Sequence, residues 1–283
     1  MTTVEVFAPA KINLTLHVTG QRDDGYHLLD SLVTFAFVGD RLTLAAADDF
    51  SLNVTGPFAD DVPTDASNLI SRAADLMGLP ATITLEKNLP VASGLGGGSA
   101  DAAAAMKGLA QIHNRSLPER DAQLALGADV PVCMIGGTVR VRGIGDRLEP
   151  LSVSSTSWPM VLVNPGVAVA TSDVFSRLAS KDNLPMDDPF ALGPAFDLMD
   201  EFFDWLAGQR NDLEAPAREI APVIGDVLEG IAAQPGCRLA RMSGSGATCF
   251  GVFGDDALAA EAAMQISAEK PRWWVVLSKE PGF

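Results

Sequence analysis

Apolar and polar residues alternate near the start of the chain, where Ile12, Leu14, Leu16 and Val18 are interleaved with Lys11, Asn13, Thr15 and His17. A period of two predicts a strand with one buried face, and it sets Lys11 and Asn13 side by side on the other. A second strand is expected over Asp40 to Ala46. The spacing then changes to that of a helix: Leu69, Ile70, Ala73, Ala74 and Leu76 form one stripe, with a cap near Asp65 or Ser67 and a stop at Gly78. Thr82 to Lys87 returns to strand character, and Ser99 to His113 to helix. In the second half the pattern predicts strands over Met160 to Asn164, Cys237 to Met242, Ala247 to Gly254 and Arg272 to Ser278. Helices are expected over Ser172 to Ala179, Pro189 to Gly208, Ala215 to Ala233 and Ala257 to Ala268. This mixture is an α+β chain. The Ser, Thr and Pro-rich stretch from Pro150 to Trp158 marks a soft boundary, giving an N-terminal domain over 1–154 and a C-terminal domain over 155–283.

Between the strand ending at Lys87 and the helix that follows lies Pro90-Val91-Ala92-Ser93-Gly94-Leu95-Gly96-Gly97-Gly98-Ser99-Ala100. Glycines at this density let several backbone N–H groups point into one concavity, and an Ala-rich helix aims its positive end at the same place. The run reads as an anion site, most naturally for a polyphosphate. A Gly-rich surface loop ahead of an ordinary helix is the plainer alternative.

Composition narrows the class. With 283 residues and 47% hydrophobic content, the chain can bury a substantial core. No stretch approaches the roughly 18 to 20 apolar residues of a membrane span, and Met1-Thr2-Thr3-Val4-Glu5 lacks the basic start of a signal peptide. Cys133, Cys237 and Cys249 form no C-x-x-C pair, so reduced thiols in a reducing, cytoplasmic compartment are expected. A net charge of −16 repels nucleic acid and anionic membrane. A phosphate ligand therefore depends on local positive potential.

The common nucleotide fingerprints fail on atoms. No Lys follows Gly98, as a Walker A loop requires, and Ser99 stands where the dinucleotide fingerprint needs glycine. The His-Arg-Asp and Asp-Phe-Gly elements of protein kinases are absent. Instead, the run from Pro90 through Asp101-Ala102-Ala103 resembles the phosphate loop of the GHMP kinases. Ala8-Pro9-Ala10-Lys11-Ile12-Asn13-Leu14 and Met242-Ser243-Gly244-Ser245-Gly246-Ala247-Thr248 match that family's other two motifs. Asp24-Gly25-Tyr26-His27, Gly127-Ala128-Asp129-Val130-Pro131 and Asn211-Asp212-Leu213-Glu214 are similar to the branch whose acceptor is a cytidine-linked polyol phosphate of isoprenoid precursor synthesis.

The resemblance implies a two-domain fold, with an N-terminal domain like ribosomal protein S5 domain 2 and a ferredoxin-like C-terminal domain. It implies an ATP-dependent small-molecule kinase using Mg²⁺, with no dedicated protein metal site, acting as monomer or homodimer without nucleic-acid or membrane partners. Pro90 to Ala100 would cradle the phosphates, and Asn68 and Lys87 match positions near the purine and ribose. Asn13, Tyr26, His27, Asp129, Thr171, Phe175, Gly244 and Ser245 would meet the acceptor. Tyr26 and Phe175 are expected to flank a cytosine.

Several of these residues have a second role open to them. Asp129, among Leu124, Leu126, Val130, Pro131 and Val132, is either a proton acceptor, as the family's catalytic aspartate, or the N-cap of a segment starting near Pro131. Lys11 either partners Asp129 and meets charge on the moving phosphoryl group or snorkels at a strand end. Ser99 is a Mg²⁺ ligand or a plain helix cap, and Asp101 reaches the metal through water or complements the helix dipole. Asn68 also suits a cap, Lys87 a solvated strand end, and Phe175 a core position beside Leu178 and Ala179. Leu28 departs from the family, where an acidic residue often follows the histidine.

Overall fold

The computed structural model describes residues 3–151, 158–189 and 199–279. The chain divides into two compact units that interleave in sequence. One comprises 1–11, 38–91 and 96–136, and the other 12–37, 92–95 and 137–283. The expected boundary at 154/155 falls outside the described residues.

The strands in chain order are β1 (Thr3–Asn13), β2 (His17–Gln21), β3 (His27–Ala46), β4 (Ser51–Thr55), β5 (Ala81–Glu86), β6 (Val139–Gly143), β7 (Arg147–Pro150), β8 (Pro159–Asn164), β9 (Cys237–Met242), β10 (Cys249–Phe253) and β11 (Trp274–Lys279). The helices are α1 (Leu69–Met77), α2 (Gly97–His113), α3 (Arg120–Leu126), α4 (Val130–Ile135), α5 (Thr171–Ser176), α6 (Met199–Ala207), α7 (Glu214–Ile220), α8 (Val223–Ala232) and α9 (Asp256–Glu269).

In the first unit, β4 pairs in parallel with β5, and β5 pairs antiparallel with Arg41–Ala46 of β3. A parallel pair needs a crossover, and α1 supplies it. The cap of α1 is Asn68, whose side chain accepts the Ile70 N–H, rather than Asp65 or Ser67; Asp65 instead accepts from the Ser67 N–H and hydroxyl one turn earlier. Ala100 and Ala102 to Ala105 of α2 are buried, and their small side chains suit close packing beside α1 and α4, where Ala73, Ala102, Met106, Leu126 and Val130 form a core. Helix α2 begins at Gly97, two residues before the predicted start, because Gly96 adopts the left-handed conformation that caps it.

In the second unit, β2 and β6 both pair antiparallel with the first half of β3, and β7 with β6. A separate antiparallel sheet has the order β11-β8-β10-β9, the order of the ferredoxin-like layer the resemblance implies. Strand β8 is buried at every position, and Val161, Val163, Ile224, Val227, Ile231, Cys249 and Phe253 meet in its core.

Some expectations yield to tertiary context. The strand predicted through Val18 breaks after Asn13, and both of its faces are buried: Lys11, Asn13, Thr15 and His17 are covered along with their apolar neighbours. Alternation reports chemical contrast between faces and cannot foresee a second covering layer. The helix expected over Ala215 to Ala233 is two helices, α7 and α8, with Pro222 at the junction, where its ring and missing N–H end the first. Helix α6 occupies the end of the segment predicted from Pro189, and 190–198 lie outside the described residues. The strand expected from Asp40 starts at His27.

Candidate active site

Strand β1 delivers Lys11 beside the residue that precedes α4. Lys11 Nζ donates to Asp129 Oδ2 at 2.9 Å, the lysine side chain 6% exposed and the carboxylate 43%. Asp129 has helical backbone angles and its side chain makes no capping bond. The carboxylate therefore points at the lysine rather than at the N–H groups of α4. The stem of Lys11 lies against the glycine loop, where a Cβ on Gly96 would stand 3.1 Å from Lys11 Cε. The turn before Asp129 is close to the start of α2 as well: a Cβ on Gly127 would be 3.7 Å from Ser99 Oγ.

The start of α2 is built to receive an anion. Gly96 caps it at φ +62° without any side-chain acceptor, the first turn carries no acid, and the first helical bond runs from the Ala100 N–H to the Gly96 carbonyl. The N–H groups of Gly97, Gly98 and Ser99 thus have no carbonyl to meet within the helix. Ser99 is inside the helix and does not cap it.

Lys87 and Asn68 were expected near the nucleotide's base and sugar, yet their polar groups are engaged within the protein. Asn68 caps α1 and donates to the Pro63 carbonyl. Lys87, 3% exposed, donates to Asp40 Oδ2 at 2.5 Å and Asp101 Oδ2 at 2.7 Å. Burial pushes the Asp101 carboxyl up to about 7, with Asp40 adding to the effect and Lys87 opposing it. Burial pulls Lys87 down, but the two carboxylates outweigh it and hold the ammonium above its ordinary value. Asp101 accepts from Lys87 through Oδ2 and lies in the second turn of α2 rather than at its opening. Asp40 went unnoticed as a site residue, although alternation sets it on the same buried face as Leu42 and Leu44, and an acid there is the signal.

In the second unit, Asn13 Nδ2 donates to Ser31 Oγ at 2.8 Å while its Oδ1 is buried without a partner. The Asn13 N–H donates to Ser243 Oγ, which donates in turn to the Gly94 carbonyl, and the Thr248 N–H donates to the Ser93 carbonyl. A Cβ on Gly94 would fall 2.3 Å from the Ser243 carbonyl oxygen, so only glycine permits this approach. Asn211 secures the same turn: its Nδ2 donates to the Met242 and Gly244 carbonyls at 2.8 and 2.9 Å, and its Oδ1 accepts the Leu213 N–H. Asp212 accepts the Val18 N–H, and Glu214 accepts the Met242 N–H. Asn211 and Glu214 of the Asn-Asp-Leu-Glu motif thereby clamp the Met242–Gly244 backbone, and Asp212 holds Val18.

Tyr26 is 62% exposed on the β2–β3 turn. The face of Phe175 is covered by His27, their ring centroids 4.5 Å apart and nearly parallel, so His27 rather than Tyr26 is the immediate neighbour of Phe175. His27 Nε2 is buried without a partner. Burial first, and then the charge of Lys181, hold the His27 imidazole below its ordinary value. Thr171 and Ser245 share a hydrogen bond of 2.8 Å between their hydroxyls, next to Gly244.

Among the described residues no group of three or more His, Cys, Asp or Glu is disposed to hold a metal. The oxygens that suit Mg²⁺ are few, namely the Ser99 hydroxyl at the helix start and the half-exposed Asp129 carboxylate. These two oxygens fit an ion that brings phosphate and water ligands with it. No helix among the described residues is long and apolar enough to cross a membrane.

The profile of the GHMP kinases N-terminal domain matches residues 66–137, and that of the GHMP kinases C-terminal domain matches residues 195–271. The chain is 54% identical over 279 residues to a 4-diphosphocytidyl-2-C-methyl-D-erythritol kinase of Cereibacter sphaeroides, covering 98% of this chain and 99% of that one. A protein of the same name from Dinoroseobacter shibae is 56% identical over 270 residues, covering 95% and 92%. A crystal structure of a 4-(cytidine 5′-diphospho)-2C-methyl-D-erythritol kinase matches 99% of this chain and 100% of its own, with 33% identity and a TM-score of 0.77.

Proposed function

The chain belongs to the GHMP kinases, on their 4-diphosphocytidyl-2-C-methyl-D-erythritol kinase branch, and we propose that it transfers the γ-phosphoryl group of ATP to the 2-hydroxyl of 4-diphosphocytidyl-2-C-methyl-D-erythritol. The observation that carries this reading is the Lys11–Asp129 pair, held in the unit that also contains the open start of α2.

Phosphoryl transfer asks for in-line positioning, neutralisation of charge on the transferred group and a destination for the hydroxyl proton. The backbone N–H groups from Gly97 to Ser99 and the dipole of α2 take the phosphates. Ser99 and Asp129 carry the oxygens that would hold Mg²⁺ brought in with the nucleotide, and the ion would supply neutralisation of the phosphate charge. Asp129 orients the acceptor hydroxyl and receives its proton. Lys11 balances the carboxylate and faces the negative charge of the moving group, and its buried stem keeps the ammonium from wandering. Tyr26 supplies an aromatic face, while His27 and Phe175 supply a stacked pair whose free Nε2 suits the polar edge of a pyrimidine. Asn13 Oδ1 and the Thr171, Gly244 and Ser245 cluster are the acceptor's remaining polar contacts. The free thiols Cys133, Cys237 and Cys249 suit a reducing cytoplasm.

The test is ATP consumption with the cytidylated polyol and with free methylerythritol phosphate as acceptors. Binding energy from a remote cytidine positions the reacting hydroxyl, so kcat/KM is expected to be at least about a hundredfold higher for the cytidylated acceptor. Equal values for the two would move the reading to another small-molecule acceptor.

A further inference from the structure

Asp40 lies on β3, wholly buried, and accepts three hydrogen bonds, one from each of three donors. Its Oδ1 takes the backbone N–H of Asn88 at 2.6 Å and of Leu89 at 2.8 Å, the two residues leading into Pro90. Its Oδ2 takes Lys87 Nζ, and the same ammonium reaches Asp101 Oδ2 on the second turn of α2. The cluster abuts the start of that helix: a Cβ on Gly97 would stand 2.9 Å from Lys87 Nζ and 3.7 Å from Asp40 Oδ2.

Stability alone is a poor reason for this arrangement. Two carboxylates and one ammonium lose their hydration on burial, and packed apolar side chains hold such a site at least as well. Asp101 Oδ1 is left without a partner, a further cost that an apolar cluster would avoid. What charged, directional groups add is geometry. A single carboxylate ties the segment entering the glycine run directly and the helix leaving it through one lysine.

Resting on the functional reading above, we propose that Asp40 is a positioning residue for nucleotide binding. It holds the backbone at Asn88 and Leu89 and, through Lys87, the first turns of α2, so that the N–H groups at the helix start face the triphosphate. Lys87 acts in this relay and not as a direct ligand of the nucleotide.

The experiment is calorimetric titration of ATP into wild type, Asp40→Ala and Asp40→Asn, with circular dichroism and thermal melts to confirm folding. Asp40→Ala removes the acceptors for both N–H groups and is expected to raise the Kd for ATP at least about tenfold. Asp40→Asn keeps a carbonyl oxygen in the place of Oδ1 but turns an amide N–H toward the Lys87 ammonium, so it breaks the Lys87 arm alone and should raise the Kd by about threefold, less than alanine does. The KM for the cytidylated acceptor should move less than about twofold in both. A folded Asp40→Ala protein with wild-type affinity for ATP overturns the inference. If the alanine variant does not fold, Asp40→Asn decides: a Kd for ATP raised by about threefold or more with the acceptor KM unchanged supports the inference, and wild-type ATP affinity overturns it. Wild type that binds no ATP would overturn the functional reading itself, which keeps the two failures apart.

Discussion

Lys11 Nζ and Asp129 Oδ2 are 2.9 Å apart although 118 positions separate them in sequence. The lysine is enclosed and the carboxylate is half open, which is the asymmetry a phosphoryl-transfer site needs: a fixed positive charge and an acid that an incoming hydroxyl can reach. Because Asp129 makes no capping bond, Asp129→Asn removes charge without unravelling α4. It is expected to lower kcat by about 10² or more, with little change in melting temperature. Lys11→Met should do the same. The double variant should lose little beyond either single one, since the two act as a unit, and steady-state kinetics on the three proteins checks this.

Gly96 holds the left-handed conformation at the cap of α2 and lies against Lys11. A valine there meets both problems, an unfavourable φ for a β-branched residue and a collision with the lysine stem. Gly96→Val should weaken ATP binding at least about tenfold, roughly 1.4 kcal/mol, by calorimetry. It should also depress kcat, because the displaced side chain is half of the Lys11–Asp129 pair. Unchanged affinity in a folded variant would remove the helix start from the nucleotide site. Gly97, at a helical φ, is constrained by Lys87 beneath it and not by backbone strain.

Tyr26 is exposed, and on the proposed function its ring meets the acceptor's base, so Tyr26→Leu should cost about 1 to 3 kcal/mol of acceptor affinity while leaving the KM for ATP alone. His27 has its imidazole held below the ordinary 6.5 by burial and by Lys181. It is neutral at pH 7, and acceptor KM should be flat above the ordinary histidine value and rise only as pH falls below it. Replacing Lys181 with methionine removes the lowering charge, raises the His27 value and should move that break to higher pH. An acceptor KM profile that is identical in the two proteins would detach His27 from recognition.

Asp101 predicts a pH dependence with a definite sign. Its carboxyl titrates about 7 when folded and about 3.8 in an ordinary setting, so between those values the folded state holds more protons than the unfolded state. The group therefore favours folding most at low pH, and its contribution is lost as pH rises through that window. Asp101→Asn does not titrate. Its melting temperature relative to wild type should accordingly improve from pH 4 towards pH 8, most of the gain being complete just above the folded value. A constant difference across the range would refute the assignment.

Asn211 donates to two buried carbonyls at once. Asn211→Ala leaves both without a donor, and each orphaned group costs about 1 to 3 kcal/mol. Thermal unfolding should show a loss of that size, and acceptor KM should rise because the Gly244–Ser245 backbone loses its clamp. Asn211→Asp keeps the Leu213 contact but faces the carbonyls with an acceptor, and should be no better than alanine.

Much of this molecule is local chemistry and so was legible in the chain. The glycine run announces itself because close backbone approach and left-handed φ need glycine wherever they occur. Strands such as β8 and β9 follow from runs of apolar and alternating residues, and α9 lies where a helix over Ala257 to Ala268 was expected. The residue types that turned out to meet, Lys11 with Asp129 and Asn13 with Ser243, were present in motifs whose order resembled a family. Their pairing was not readable from spacing.

Tertiary structure decided the partners. Lys87 reads from the sequence as a position near the nucleotide or a solvated strand-end charge, and only the register of β3 against β5 and the start of α2 bring Asp40 and Asp101 to it. Tyr26 and Phe175 were expected on the two faces of a cytosine; the β2–β3 turn leaves Tyr26 exposed and stacks its neighbour His27 on the Phe175 ring. Local propensity depends on a few neighbouring residues, whereas these contacts depend on where separate segments end up in space. A single residue's shift in register or helix start would exchange one partner for another without changing any local signal.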